Sequence, residues 1–552
     1  MMIRFLFTAA IVLLSQVCAG ADLAADAAAL RRAGATAFEN KQFSLAAVTY
    51  AKAFAIDPKV AISAYNSACA YARAGDKDKA FELLNRSFDA GIRDYPMVVN
   101  DKDFMSLYDD ARWTAALKRL TDMRDYTMRL FWSSAFKTPY QENISDKEKL
   151  AGLSKLWSET KYNLADVELL RRIEWDKLYV DAIPAVLATT STVQYFEVLR
   201  DFGSKLTGYE PLISPPRELA LTLQGLPPFL TSLVEGKVMV GEVVDVTLHD
   251  QGVVPGVEVI DVDGVPAPSY GAANAAAHLG AASEHALKAA GAGPLFMVGA
   301  VETTSRVRFS GADGKQFSVP VTRVSALSRA LSQSRQTGIE MLPGNVAYIP
   351  LRLFSEREIA SLRKRFSEIA NASAWIVDVR ENQEGKLSGA SQIARMLSPK
   401  PVRFTARLTR VHQVARDRYH GIDTPLRLEE SDSLAPDLEH QFSGPVVMLT
   451  SALTASEGER LVSTLLELKR VTLVGERTAG QGCEGAGFEL PGGAEATTCV
   501  LRSTYPNDMQ RGGIGIVPNV AASQTINDLR QGRDTVLAVA LNVLARQATA
   551  KP

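Results

Sequence analysis

The chain has 552 residues, of which 46% are hydrophobic and 22% are charged, and its formal net charge is −1. At ~100–200 residues per domain, this length indicates several globular domains, between roughly three and five. The nearly balanced charge and the lack of a Lys/Arg cluster argue against nucleic-acid binding, because that binding depends on neutralising phosphates.

The N-terminus has the features of a secretory signal. Arg4 precedes an apolar run, residues 5–14, and small residues follow at Ala19 and Ala21. We expect cleavage near these small residues, so that residues 1–21 are removed and the mature protein is periplasmic or extracellular. An uncleaved anchor is the alternative, although the run is short for a bilayer span. No later stretch reaches ~18 uninterrupted apolar residues, so we expect no membrane span once the signal is removed.

Residues 22–120 are predicted to be helical and to contain about two copies of a ~34-residue repeat. Small, aromatic and proline residues recur where a tetratricopeptide unit packs its two helices, namely at Gly34, Ala46, Tyr50, Ala53 and Pro58, and then at Ala68, Tyr71, Gly75, Ala80 and Leu84. Stacked repeats of this kind form extended concave surfaces that bind peptides or partner proteins. An alanine-rich pair of helical hairpins with no partner is the alternative. Residues 125–225 are also predicted to be mainly helical.

Residues 230–325 have the pattern of strands joined by tight turns, with a helix rich in alanine and glycine inserted before the last hairpin. The turn signals are Pro255-Gly256, Asp263-Gly264 and Asp313-Gly314. This arrangement resembles a PDZ module, which binds an extended chain end by adding a strand to the edge of its sheet. A β-rich spacer without a ligand is the alternative.

Residues 335–550 alternate strand and helix, which predicts βαβ units around a mostly parallel sheet. Apolar strands are expected within NVAYIPLRLF, AWIVDVRENQEG, GPVVMLTS and VTLVGERTAGQG. The predicted fold class is therefore multidomain α/β and α+β, with helical repeats, a helical bundle, a PDZ-like β-rich domain and a C-terminal α/β core. Functional sites in such cores lie at the carboxyl ends of the strands.

Ser456, in the segment TASEGE, follows one of these strand ends and begins a predicted helix. The free amides and the positive dipole of a helix N-terminus would stabilise a developing alkoxide or oxyanion there. The alternative is a capping box, in which the Ser456 hydroxyl and the Glu459 carboxylate satisfy the first amides of the helix. A serine hydroxyl is a weak nucleophile without a base, so the surrounding motifs must decide.

The motifs around Ser456 resemble those of the C-terminal processing (tail-specific) and tricorn-type serine peptidases. A first motif matches at Thr454, Ala455, Ser456, Glu459, Val474, Gly475, Glu476, Thr478 and Gly480, and a second at Asp378, Arg380, Asn382 and Gly385. A third, GIGIVPN at residues 513–519, is near the family pattern. The resemblance covers roughly residues 130–545. It implies that Ser456 is the nucleophile and that an amide near Gly385 helps to bind the oxyanion.

The general base that the resemblance implies is not matched in this chain. The processing peptidases have a lysine where this chain has Gln481, and a glutamine amide does not accept a proton near neutral pH. Tricorn-type members have a histidine where a loose alignment places Glu210, so Glu210 is the candidate base. A surface role for Glu210 is the alternative. None of the six histidines lies in a recognised base motif.

Cys483 and Cys499 lie on either side of a turn signal, Pro491-Gly492-Gly493, and would face each other across a hairpin. An oxidising compartment would favour a disulfide between them, and the unpaired state stays open. No histidine lies near enough in sequence to suggest a metal site, and neither a dinucleotide-binding nor a Walker motif is present. We therefore expect no cofactor.

These features favour an exported serine peptidase that cleaves peptide bonds by acyl transfer from Ser456. The alternative is a family member that has lost its catalytic dyad and binds peptides as a scaffold, through the helical repeats and the PDZ-like part. Both readings have protein or peptide partners, and neither involves nucleic acid.

Overall fold

The computed structural model of the chain describes residues 25–131, 134–206, 212–278, 283–326, 328, 338–383, 386–404, 407–410, 426–429, 433–503 and 514–549. The predicted signal, residues 1–21, lies outside the described residues. The chain divides into two compact units, of which the first ends at Ala135 and the second begins at Phe136.

The first unit is helical. Its helices span residues 25–39, Phe43–Ile56, Ala61–Ala74, Lys77–Asp89, Tyr95–Val99 and Ala111–Phe131, with a 3-10 helix at Lys102–Leu107. Small side chains such as Ala46, Ala64 and Ala68 are fully buried, and they let neighbouring helices pack closely. Gly75, at φ +87°, ends one helix in the left-handed conformation that glycine adopts without a steric penalty. The predicted helical content is confirmed, and the grouping into tetratricopeptide repeats stays a prediction.

In its described residues, the second unit combines helices with three larger sheets and one strand pair. Its helices span Asp146–Asn163, Val167–Arg172, Trp175–Leu187, Thr192–Ser204, Arg217–Leu223, Val246–Asp250, Ala267–His278, Glu284–Ala292, Glu356–Lys364, Phe366–Ile369, Leu387–Leu397, Ser456–Glu467, Ile526–Arg530 and Thr535–Thr549. None of the helices in the described residues is both long enough and apolar enough to cross a membrane.

Strand labels follow chain order. The strands are β1 (Leu212–Ser214), β2 (Gly225–Leu226), β3 (Phe229–Val234), β4 (Lys237–Val243), β5 (Glu258–Val262), β6 (Val265–Pro266), β7 (Thr304–Ser310), β8 (Gln316–Thr322), β9 (Val324–Ser325), β10 (Glu340–Leu342), β11 (Val346–Pro350), β12 (Ala374–Asp378), β13 (Arg407–Arg410), β14 (Leu426–Glu429), β15 (Val446–Thr450), β16 (Thr472–Gly475), β17 (Cys483–Leu490), β18 (Ala494–Ser503) and β19 (Val520–Ala521).

The helices between Asp146 and Ser204 pack against an antiparallel sheet. This sheet has the order β1-β18-β13-β14, and β17 also pairs with β18. Leu153 and Leu156 share one buried core with Leu490 of β17. These helices and the β17–β18 hairpin therefore form two layers that pack around the same core. The sequence did not predict this sheet, because its strands come from distant segments.

The β-rich segment forms an antiparallel sheet with the order β3-β4-β5-β7-β8, while β6 pairs with β5. Two helices, Ala267–His278 and Glu284–Ala292, lie between β6 and β7 in the chain. They approach so closely that a Cβ atom on Gly271 would lie 2.3 Å from the Gly291 carbonyl oxygen, so only glycine fits. The sequence predicted strands with an alanine-rich helical insertion, and the structure agrees. That this segment is a PDZ module stays a prediction.

The C-terminal core is a sheet with the order β10-β11-β12-β15-β16-β19, which is parallel except for the β10–β11 pair. Helices cover both faces, with the Ser456–Glu467 helix on one side and the Thr535–Thr549 helix on the other. The mostly parallel α/β prediction is confirmed. Because β12 and β15 are neighbours, the loops that leave their carboxyl ends meet, and those loops carry the matched motifs.

Candidate active site

Ser456 is the first residue of the helix Ser456–Glu467, which we call the serine helix. Its φ is +50°, in the left-handed region that non-glycine residues seldom adopt. The preceding Ala455 is extended, and its backbone N–H donates to the Asn382 carbonyl at 2.9 Å. The Ser456 side chain is half-buried, and its hydroxyl makes no hydrogen bond to any part of the chain that the structure describes. The turn therefore holds the Ser456 hydroxyl on a strained backbone, without a hydrogen-bond partner in the described residues.

The capping-box alternative for Ser456 and Glu459 is wrong. The cap position is Ala455, and no side chain in the described part of the chain caps this helix. Glu459 is fully buried and its carboxylate points away from the helix start, accepting hydrogen bonds from the Thr478 hydroxyl and from the Gly480 amide, the latter at 2.8 Å. Glu459 thus joins the serine helix to the loop after β16, and the Ser456 hydroxyl has no capping role.

The loop after β12 is fixed by a half-buried cluster of ion pairs. Arg380 lies 2.6 Å from Asp378 and 2.7 Å from Asp534, and the Tyr348 hydroxyl donates to Asp378 at 2.6 Å. Burial alone favours the neutral acid, but the Arg380 charge and the hydrogen bonds from Arg380 and Tyr348 together prevail and hold the pKa of Asp378 below its ordinary value. Asp378 is therefore a structural anion, and sequence reasoning found its motif but not its partner Asp534.

Asn382 connects this loop to the serine helix. It is fully buried, its side-chain NH2 group donates to the Leu351 carbonyl at 3.2 Å, and its own carbonyl accepts from Ala455. A Cβ atom on Gly458 would lie 2.8 Å from the Asn382 side-chain oxygen, so the helix needs glycine at this point. The Thr454 hydroxyl adds a bond to the Val379 carbonyl at 2.9 Å. The two motifs that the sequence matched separately therefore interlock.

Gln481 follows a loop, residues 478–480, that we call the 478 loop. The Ala479 amide donates to the Thr454 carbonyl at 2.9 Å, and the Thr478 amide donates to the Ile516 carbonyl at 3.1 Å. The first bond fixes the 478 loop against the turn that precedes Ser456, and the second fixes it against the segment that contains Ile516. Gln481 is half-buried, and its amide side chain offers no titratable proton acceptor.

A buried ion pair lies directly after Ser456. Glu457 and Arg460 are 2.8 Å apart, and both side chains are almost completely inaccessible. Arg460 also lies 3.9 Å from Glu484, which pairs with Arg407 at 2.9 Å. Burial raises the pKa of Glu457 above its ordinary value against the opposing effect of the Arg460 charge. Glu457 is thus a buried carboxyl group, adjacent in sequence to the serine and held by Arg460, and no sequence motif indicated it.

Of the remaining predicted residues, Glu210 and Gly385 lie outside the described residues. Cys483 and Cys499 form a disulfide on the β17–β18 hairpin, with their Cα atoms 5.7 Å apart. Cys483 comes two residues after Gln481, so this bridge lies close in sequence to the 478 loop.

Comparison with known proteins is consistent with this geometry. Residues 345–522 match the model of Peptidase family S41. A carboxyl-terminal-processing protease of Picosynechococcus sp. is 28% identical over 196 residues, which cover 35% of this chain and 43% of that protein. A carboxyl-terminal-processing protease of Synechocystis sp. is 30% identical over 188 residues, which cover 33% of this chain and 40% of that protein. The matched stretches thus span less than half the length of these relatives.

The fold has a counterpart among solved structures. The structure of mature CPAF complexed with lactacystin aligns with a TM-score of 0.54 and 15% identity, over 70% of this chain and 95% of that chain. At this identity the likeness concerns the fold alone. Together with the family match, it confirms the resemblance that the sequence motifs indicated. The segment that carries Ser456, residues 345–522, therefore matches Peptidase family S41 and is similar to the corresponding part of carboxyl-terminal-processing proteases.

Proposed function

We propose that this protein is an exported serine peptidase of the C-terminal-processing type, which cleaves protein or peptide substrates by acyl transfer from Ser456. The observation that carries the proposal is the Ser456 turn. Its strained backbone and its hydroxyl, which forms no hydrogen bond within the described residues, are what a nucleophile needs and what a helix cap lacks.

In the first chemical step, the Ser456 hydroxyl gives up its proton and its oxygen attacks the peptide carbonyl carbon. The negative charge that develops on the carbonyl oxygen needs hydrogen-bond donors. The backbone amides of Ser456 and Glu457 are the donors at this helix N-terminus, and within the described residues neither amide is used in a hydrogen bond. An amide near Gly385 stays the additional donor that the motif predicts. Collapse of the intermediate releases the amine, which takes a proton, and water then hydrolyses the acyl-enzyme.

The proton acceptor is proposed to be a carboxylate, since Gln481 occupies the usual lysine position. Glu210 is the candidate from the sequence, and Glu457, the residue directly after Ser456, is the candidate among the described residues, where its carboxylate is paired with Arg460. The two are separated by the pH dependence of kcat/KM in Glu210→Gln and Glu457→Gln. Loss of the acidic limb in one variant identifies the base.

The proposal is tested with the full chain and a denatured protein substrate. Ser456→Ala is expected to lower turnover by about 10⁴-fold or more and to leave the melting temperature within the error of the wild type. A fluorophosphonate should add its mass to the Ser456 peptide of the wild type only. The matched control is Ser145→Ala, which removes a true helix cap and should reduce stability by ~1 kcal/mol without loss of turnover.

Retained turnover in Ser456→Ala would show that another residue performs the chemistry. No turnover and no labelling of the wild type, between acidic and alkaline pH, would instead favour the peptide-binding scaffold.

A further inference from the structure

The N-terminus of a helix from the β-rich segment docks onto the 478 loop. This helix, Glu284–Ala292, is called the docking helix here. The Ser283 hydroxyl donates to the Ala479 carbonyl at 2.7 Å, and the Ser283 amide donates to the same oxygen at 3.2 Å. The His285 Nε2 atom lies 2.7 Å from the Thr478 carbonyl. Two adjacent carbonyls of the 478 loop are therefore held from outside the catalytic core.

The hydrogen bond from His285 has a defined direction. A carbonyl oxygen only accepts, so the imidazole nitrogen nearest Thr478 carries the proton and donates it. The other ring nitrogen, Nδ1, lies 2.8 Å from the Ser283 hydroxyl oxygen. The single Ser283 hydroxyl proton is donated to the Ala479 carbonyl, so the bond from Nε2 to the Thr478 carbonyl is the direct link between His285 and the 478 loop.

The docking helix also packs against the turn that precedes Ser456. Ala286, Ala455 and Ala479 form a small apolar cluster in which each side chain is at most 5% exposed. Ala455 is the residue directly before Ser456. The docking helix therefore contacts both the 478 loop and the nucleophile turn, and a shift of the loop would be transmitted to Ser456 through close-packed atoms.

The opposite side of the 478 loop is bound by the serine helix. The Thr478 hydroxyl and the Gly480 amide donate to Glu459, while the Thr478 and Ala479 carbonyls accept from the docking helix. Side-chain bonds thus clamp this short loop between two helices, and it leads directly into Gln481.

We propose that His285 and Ser283 are positioning residues that hold the 478 loop in register with Ser456. The Ser283 hydroxyl and the His285 Nε2 atom are both bonded to the loop, which assigns these residues to positioning and not to contact with the substrate. The consequence for catalysis rests on the proposed function, whereas the restraint on the loop does not. No local sequence pattern indicates this role, since His285 lies 171 positions before Ser456 in a helix that has no catalytic motif.

The decisive variants change the hydrogen-bond donor at His285. His285→Leu removes it, and His285→Gln keeps an N–H donor on a side chain of similar length. Ser283→Ala is less informative, because Ser283 also caps the docking helix by accepting from the Ala286 amide at 3.4 Å. The matched control is His249→Leu, since His249 belongs to the same β-rich segment and its side chain is 61% exposed.

Two measurements are made on the full chain. Amide hydrogen exchange of the peptide covering the 478 loop should speed up by about tenfold or more in His285→Leu, return toward the wild-type rate in His285→Gln and be unchanged in His249→Leu. Steady-state kinetics should show kcat reduced by between about tenfold and a hundredfold in His285→Leu, with little change in KM and partial recovery in His285→Gln.

Unchanged exchange in His285→Leu overturns the proposal, whether or not the protein is a peptidase. Faster exchange with unchanged kcat also overturns it, because the contact is then packing without a role in positioning Ser456. If the wild type has no peptidase activity, the proposed function fails, and the exchange experiment still decides whether His285 restrains the 478 loop.

Discussion

The pattern Ser-x-x-Glu begins the helices at Ser145 and at Ser456, as it does at Ser355, and it has opposite meanings at Ser145 and Ser456. At Ser145 the backbone is extended, the hydroxyl accepts from the Glu148 amide at 3.4 Å, and Glu148 accepts from the Ser145 amide at 3.0 Å. At Ser456 the backbone is left-handed, the hydroxyl caps nothing, and Glu459 binds a different loop. Ser145 therefore caps its own helix, whereas Ser456 does not cap the serine helix.

The difference has a physical origin in the surroundings of each turn. Ser145 is exposed, so its turn is governed by local hydrogen bonds. The Ser456 turn is enclosed by loops that engage its neighbours, with Asn382 bound to Ala455 and the 478 loop bound to Glu459. Tertiary contacts thus override a strong local signal, and such conflicts concentrate at functional sites.

The largest expected effect comes from loosening the loop that holds Ala455. Arg380→Leu leaves Asp378 buried without its main counter-charge and is expected to cost about 3–5 kcal/mol of unfolding free energy. Urea unfolding followed by circular dichroism measures this cost. The control is Arg171→Leu, an exposed partner of Glu168, which should change stability by less than ~1 kcal/mol. A similar cost in both variants would mean that the Arg380 pair does not brace the site.

The two glutamates of the shared pattern should also differ. Glu459→Ala leaves the Thr478 hydroxyl and the Gly480 amide without their acceptor in a buried site, and we expect a loss of about 2–4 kcal/mol. Glu148→Ala removes half of an exposed capping box and should cost about 1 kcal/mol. Equal losses in chemical denaturation would remove the distinction between the two turns.

The sequence anticipated the α/β core because each strand there is a short apolar run followed by an amphipathic helix. It did not anticipate the antiparallel sheet in which β1 pairs with β18, where Leu212 faces Thr497. Pairing between such distant segments depends on how the helices between Asp146 and Ser204 pack against this sheet. No local sequence pattern encodes that packing. The Pro491-Gly492-Gly493 turn was recognisable, since a turn and its two flanking strands are local.

For the site, the motif identified Ser456 and the Asp378 loop. It did not identify Asp534, which shares Arg380, or His285, which binds the 478 loop. It also allowed a capping role for Glu459, because hydrogen bonding within four residues is the simplest reading of that spacing. What the sequence missed in each case is a contact between segments that only the folded chain brings together.

Glycine substitution tests the backbone of the two serines and should give opposite signs. Ser456→Gly removes the penalty of a side chain at φ +50° and is expected to raise the free energy of unfolding by about 1 kcal/mol while abolishing turnover. Ser145→Gly should lower it by a few tenths of a kcal/mol, because a cap is lost at a residue with φ −66°. Destabilisation by Ser456→Gly would show that the turn is not strained.

The smallest expected effect is a pH dependence that belongs to the true cap only. The Ser145 hydroxyl and amide hold the pKa of Glu148 below its ordinary value of 4.5. A carboxyl whose folded pKa is lowered stabilises the protein above its ordinary pKa, and this stabilisation is lost as the pH falls through the folded pKa.

The difference in unfolding free energy between wild type and Ser145→Ala should therefore shrink by a few tenths of a kcal/mol from pH 6 to pH 3, because the pair is largely exposed. For Ser456→Ala the difference should stay constant over this range, since Ser456 makes no hydrogen bond to Glu459. A parallel decline in both variants would mean that the two serines interact with their glutamates alike.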